Sequence, residues 1–79
     1  MRIDLFLKQS RIIKRRTIAK EYCERGLVLI NGKIAKPSSE VTSNDIVNIT
    51  FGEKNFDIRV TINKVGQREV AEYEQVEAR

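Results

Sequence analysis

Histidine is absent from this 79-residue chain, and cysteine occurs once, as Cys23. Without histidine the chain lacks the commonest general base and the commonest metal ligand. A lone cysteine excludes an internal disulfide and a cysteine-only zinc site. Serine and threonine hydroxyls are present, but no neighbour is placed to activate one as a nucleophile. No apolar run approaches the ~20 residues needed to cross a bilayer. Residues Met1 to Lys8 lack the continuous apolar stretch and small-residue cleavage site of a signal peptide. The expectation is a cytoplasmic, non-enzymatic protein with no cofactor, no metal and no membrane partner, whose work is binding.

What is abundant is positive charge, and it is unevenly placed. Apolar residues make up 41% and charged residues 33%, proportions that suit a globular domain rather than a disordered tail. A chain this short buries about 60–65% of its unfolded surface, enough for one small core. Residues 1–36 carry a net charge of +7 and residues 37–79 a net of −3, which together give the overall +4. Segregation of this kind implies a cationic face turned to a polyanion.

The apolar period changes once along the chain. Ile3, Phe6 and Leu7 stand at i, i+3 and i+4, which predicts a helix over about 3–9. A second helix is expected from Arg16 to Arg25, with Ile18, Ala19, Tyr22 and Cys23 as its apolar stripe and Gly26 as its stop. Cys23 reads as an inert core residue. Arg15 would fall on the same stripe if the helix had already begun, so it belongs at or before the cap, pointing outward. Past Gly26 the pattern is that of strands. Leu27 to Ile30 leads into Asn31-Gly32, a strong hairpin signal because both turn positions require positive φ. Lys33 to Lys36 returns and Pro37-Ser38-Ser39 ends it. Asp45 to Phe51 and Phe56 to Ile62 alternate cleanly, with Gly52 to Asn55 as the turn between them. The fold class is α+β: two short N-terminal helices packed on a small, mainly antiparallel sheet of four to five strands. Residues 66–79 hold four Glu and only weak periodicity, and a frayed helix and an extended segment are equally compatible with them.

The segment Arg11-Ile12-Ile13-Lys14-Arg15-Arg16 places four cations where the second helix begins. A helix amino end carries roughly +0.5 of an elementary charge and favours carboxylates by about 0.3–1 kcal/mol each. Arg16 and Lys20 add a like-charge pair at i, i+4. Cations concentrated there disfavour the isolated helix but suit an external phosphate. On this reading Arg16→Ala costs little folding stability, or even raises it slightly. The expected RNA-binding residues are Arg2, Lys8, Arg11, Lys14, Arg15, Arg16 and Lys20 on the helices, extended by Lys33 and Lys36 on the hairpin. Asn31 is first a turn residue and second an RNA contact. Asp4 reads as a helix cap or as a partner for a nearby Arg. Ser38 and Ser39 read as loop caps or as phosphate donors.

Only five aromatic residues occur, three Phe and two Tyr. Phe6, Tyr22, Phe51 and Phe56 fall on apolar faces and are expected in the core, and Tyr73 is the one candidate for stacking. Single strands are bound largely by stacking, whereas double-stranded RNA is recognised through backbone and shape. Structured RNA is therefore the favoured ligand, with DNA left open.

These residues also form a familiar pattern. Arg2-Ile3-Asp4-x-Phe6-Leu7-Lys8 resembles the opening of the RNA-binding domain named after small-subunit ribosomal protein four. Lys14-x-Arg16-x-x-Ala19-x-Glu21 is similar to its second helix. Gly26-x-Val28-x-Ile30-Asn31-Gly32-x-x-x-Lys36-Pro37-Ser38 is similar to its hairpin, and Asn44-Asp45-x-Val47-x-Ile49 stands where the family usually has Gly-Asp, with Asn44 departing from Gly. The resemblance covers residues 1–63 and implies the alpha-L type fold; residues 64–79 read as an acidic C-terminal tail. It implies RNA contact at Arg2 and Arg16 directly, and at Lys8, Arg11, Lys14, Arg15 and Lys20 by extension.

A solitary domain of this length resembles the RqcP-like family of bacterial ribosome-associated quality-control factors, related to the fifteen-kilodalton heat-shock proteins. That resemblance implies a monomer on the large ribosomal subunit, touching its rRNA and a stalled peptidyl-tRNA. It also implies that the NFACT-family factor RqcH adds alanine to the nascent chain on the same particle. The alternatives are a ribosome-recycling role of the heat-shock type, an accessory domain of an RNA-modifying enzyme, and an adaptor using the acidic 69–77 segment.

Overall fold

The computed structural model describes residues 1–76. Two helices, α1 (Ile3–Gln9) and α2 (Arg16–Glu24), precede five strands: β1 (Val28–Ile30), β2 (Lys33–Ile34), β3 (Ile46–Phe51), β4 (Lys54–Val65) and β5 (Arg68–Val76). The strands form one antiparallel sheet in the order β2-β1-β3-β4-β5. Helix α1 packs on α2 and on β5, and α2 packs on β1.

The core arises where the two apolar periods meet. Ile3, Phe6 and Leu7 of α1 and Ala19 and Cys23 of α2 lie buried against Val28, Val47, Ile49, Ile58 and Val60 of the sheet. Ile18, expected on the buried stripe, is instead 40% exposed. The short α2 needs only a narrow contact, and Ile18 falls at its edge.

Local chemistry sets the turns. Helix α2 ends in a Schellman motif: Gly26, at φ 74°, donates to the Cys23 carbonyl and Leu27 donates to that of Tyr22. The β1–β2 turn has φ 50° at Asn31 and 84° at Gly32, as a two-residue hairpin requires. Asn44 also sits at positive φ, 77°. That explains why its departure from Gly is tolerated, since Asn is among the few residues that visit this region routinely. Asn44→Gly should raise stability by up to about 1 kcal/mol, checked by urea unfolding. A loss of stability would mean that the Asn44 side chain contributes more than its backbone geometry.

One expectation needs correction. Lys54 and Asn55 belong to β4 rather than to the turn before it. Asn55 donates to Asn48 and Thr50, and Asn48 donates to Asp57, so a row of polar side chains knits the face of the sheet away from the helices. Of the two readings open for residues 66–79, the extended one holds as far as Val76. Residues 64–76 complete β4 and form β5, paired from Asp57↔Val76 to Val65↔Arg68. Residues 77–79, the end of the expected acidic tail, lie outside the described residues.

The acids of this hairpin have a definite place. Ile58 and Val60 point into the core, so Asp57 and Arg59 point to the opposite face. There Arg59 pairs with Glu74, and Asn63 donates to Glu72. Asp57, Glu72 and Glu74 thus lie on the face away from the helices.

Candidate nucleic-acid interface

The amino end of α2 has no side-chain cap and no acidic residue in its first turn. The anion that balances it comes from the other helix. Asp4, in the first turn of α1, is 0% exposed. Its Oδ2 lies 3.1 Å from Arg2 Nη2 and 3.3 Å from Arg16 Nε. Its Oδ1 accepts from Arg16 Nη2 at 3.4 Å and from the Leu5 N–H at 2.7 Å. Asp4 is therefore the arginine partner and not the cap, a position occupied by Arg2.

Burial by itself raises the pKa of Asp4. The hydrogen bonds from Arg16 and Leu5, with the charges of Arg16 and Arg2, outweigh it and hold the carboxyl below its ordinary value. The two guanidinium groups stay accessible, with side chains 44% and 42% exposed. Arg16 Nε is buried and, despite its short distance to Asp4, lacks a hydrogen-bonding geometry. The carboxylate thus holds one Nη2 of each arginine, while both side chains stay partly exposed.

The expected cluster divides between two concave surfaces. Arg2, Lys20, Lys36 and Ser38 line a groove of about 640 Å³ between α2 and the β1–β2 hairpin. Lys8, Arg11 and Lys14 line another, of about 810 Å³, closed on its far side by β5. Arg15 caps α2 and is exposed, as expected. Lys33 is exposed at the hairpin tip. Asn31 is exposed in the turn, its amide donating to Asp45 at 3.0 Å and accepting from the Ile46 N–H at 2.9 Å. Ser39 accepts from the Lys36 N–H, so its capping role is the one realised. Among the described residues, ion pairs engage Arg2, Arg16, Arg59 and the Met1 amino group, so Lys8, Arg11, Lys14, Arg15, Lys20, Lys33 and Lys36 carry unpaired charge.

Sequence reading missed Arg68, which β5 brings to the groove of Lys8, Arg11 and Lys14. Its signal was faint: Gly66, a turn residue after the alternating run to Ile62, which sits at φ 66°. Glu69 lines the same groove and limits its net charge.

Cys23 takes no part in this chemistry. Burial, and then the nearby charges of Asp4 and Glu24, push its thiol up to about 11. It should resist iodoacetamide at pH 8 in the folded protein and react within minutes in denaturant, as followed by mass spectrometry. Prompt alkylation of the native chain would contradict its placement in the core.

The S4 domain family matches residues 1–47 of this chain. The chain is 49% identical, over 61 residues, to the RQC P-site tRNA stabilizing factor of Halalkalibacterium halodurans, covering 77% of this chain and 69% of that one. It is 50% identical over 60 residues to the factor of the same name from Bacillus subtilis, covering 76% and 70%. Among solved structures it is similar to the trimeric Heat Shock Protein 15 of Vibrio cholerae, with a TM-score of 0.78 and 27% identity over 96% of this chain and 81% of that one.

Proposed function

Since the chain belongs to the S4 domain family, among the RQC P-site tRNA stabilizing factors, we propose that it is a non-enzymatic RNA-binding factor that holds a stalled peptidyl-tRNA on the large ribosomal subunit. The reading adds that it touches both rRNA and tRNA, in the cytoplasm, as a monomer, while RqcH extends the nascent chain with alanine. The names of the relatives support the tRNA, and the S4 family supports RNA as the ligand.

The observation that carries the proposal is the pair of arginines held on buried Asp4. A side chain that must grip a phosphate loses less freedom if it is already oriented, and a planar fork suits phosphate oxygens. Arg2 and Arg16 are the principal contacts, with Lys20 and Lys36 beside them. Lys8, Arg11 and Lys14 form a second contact, and Arg15 and Lys33 add charge to the approach. Phosphate contacts of this kind position an RNA without reading its sequence. They suit a protein that fixes where a tRNA sits.

The test is co-sedimentation with purified large subunits, with and without peptidyl-tRNA in the P site, across a potassium series. Binding should be tighter when the tRNA is present and should weaken steadily with salt. Failure to bind any ribosomal particle at low ionic strength would refute the proposal. Equal binding with and without tRNA would limit it to rRNA.

A further inference from the structure

Aromatic side chains expected in the core are only partly there. Phe6 is fully buried, but Tyr22, Phe51 and Phe56 are half-buried. Tyr22 and Phe51 meet at 5.4 Å between centroids, and Phe51 meets Phe56 edge-on at 6.1 Å. The row ends in a cleft of about 250 Å³ on the helix side of the sheet, walled by Phe51, Phe56, Ile12, Arg11, Tyr73 and Gln75. Tyr73 is 45% exposed. The volume falls below the ~300–1,000 Å³ of a drug-sized ligand site and suits a single flat ring system.

Arg11 ties this cleft to the cationic groove, since it lines both. Its backbone lies at φ 65°, in the left-handed region where an L-residue is disfavoured by roughly 1–2 kcal/mol and Gly is the usual choice. A cation held there in place of Gly, between an aromatic cleft and Lys8, Lys14 and Arg68, has the arrangement of a nucleotide site: phosphate on the cations, base on the rings.

We infer that the cleft between the α1–α2 turn and β5 receives one unstacked RNA base, whose phosphate lies on Lys8, Arg11 and Arg68. This rests on the RNA-binding reading above and extends it to a surface that β5 completes. Tyr73 supplies the exposed stacking face, Arg11 closes the site, and Gln75 lines the wall where a base edge would present donors and acceptors. The charge around the cleft selects an RNA rather than an apolar peptide.

Two RNA hairpins test the site, one with a single bulged uridine and the other abasic at that nucleotide. Anisotropy titrations with the full chain should give about tenfold tighter binding to the first, within the range one stacked base supplies. Tyr73→Ala should abolish that difference and Tyr73→Phe should keep it, with thermal melts showing both folded. Arg11→Gly should weaken both RNAs. Independently, 5-bromouridine at the bulge should photo-crosslink to Tyr73 or Phe56. Equal affinity of the parent for the two hairpins would overturn the site while leaving RNA binding intact. No affinity for either would overturn both readings. Discrimination that survives in Tyr73→Ala, or a crosslink elsewhere, would remove the base from this cleft.

Discussion

Asp4→Ala should lower the unfolding free energy by about 1.5–3 kcal/mol, the range for hydrogen bonds to a charged group. For a domain of this size that is a fall in melting temperature of roughly 10–20 °C. The carboxylate is 0% exposed and engages Arg2, Arg16 and the Leu5 N–H, so its removal ends every one of these contacts together. The estimate stays below the 3–5 kcal/mol typical of a broken buried pair because the two arginines left behind can hydrate. Asp4→Asn separates charge from shape, since it keeps an acceptor while releasing the anion, and should fall between the two. A melting temperature within about 2 °C of the parent would show that the contact is dispensable.

The same carboxyl gives a pH dependence of known sign. Its folded-state pKa lies below the ordinary value of 3.8. The unfolded chain therefore binds a proton before the native one does, and the contribution of Asp4 is fully present above the unfolded pKa. It is lost as pH falls through the folded value. The acid limb of the stability curve should flatten in Asp4→Asn relative to the parent. Arg16→Ala should move the Asp4 pKa upward, measurable by NMR titration of its side-chain carboxyl carbon.

Arg2→Ala and Arg16→Ala should each weaken binding to the tRNA-bearing large subunit by about tenfold or more, the loss of one charge-assisted contact. Each should also reduce the slope of log affinity against log salt by about 0.7–0.9, the release of one counterion. Lys33→Ala, at the hairpin tip, should change affinity far less. Arg16→Lys keeps the charge but not the fork, and should recover the slope more fully than the affinity. If all four variants bound alike, the oriented arginines would not be the contact. The structure also reverses the stability expected of Arg16→Ala. Loss of an unfavourable charge at a helix start predicted a neutral or slightly positive effect. Because Arg16 partners a buried carboxylate, its removal should instead destabilise the fold, by about 1–2 kcal/mol with Arg2 still in place.

The helices and the first hairpin were legible because each has a local cause. Apolar spacing marks α1, Gly26 stops α2, and Asn31-Gly32 permits its turn. The β5 strand was not, because only Ala71 of its residues is buried and an edge strand laced with charge carries almost no period. The candidate cations other than Arg68 were legible one by one. Their division into two grooves was not, because it depends on which helix end meets which strand.

Composition and order alone determined that this is a small α+β domain with a basic amino-terminal third, no histidine chemistry and a hairpin at Asn31-Gly32. Those properties depend on residue type and on spacings of a few positions. Tertiary structure alone decided that Asp4 holds Arg2 and Arg16, that Arg68 joins Lys8, Arg11 and Lys14, and that half-buried rings open onto a cleft. Each of these juxtaposes residues distant in the chain, and a contact of that kind is set by packing against a shared core.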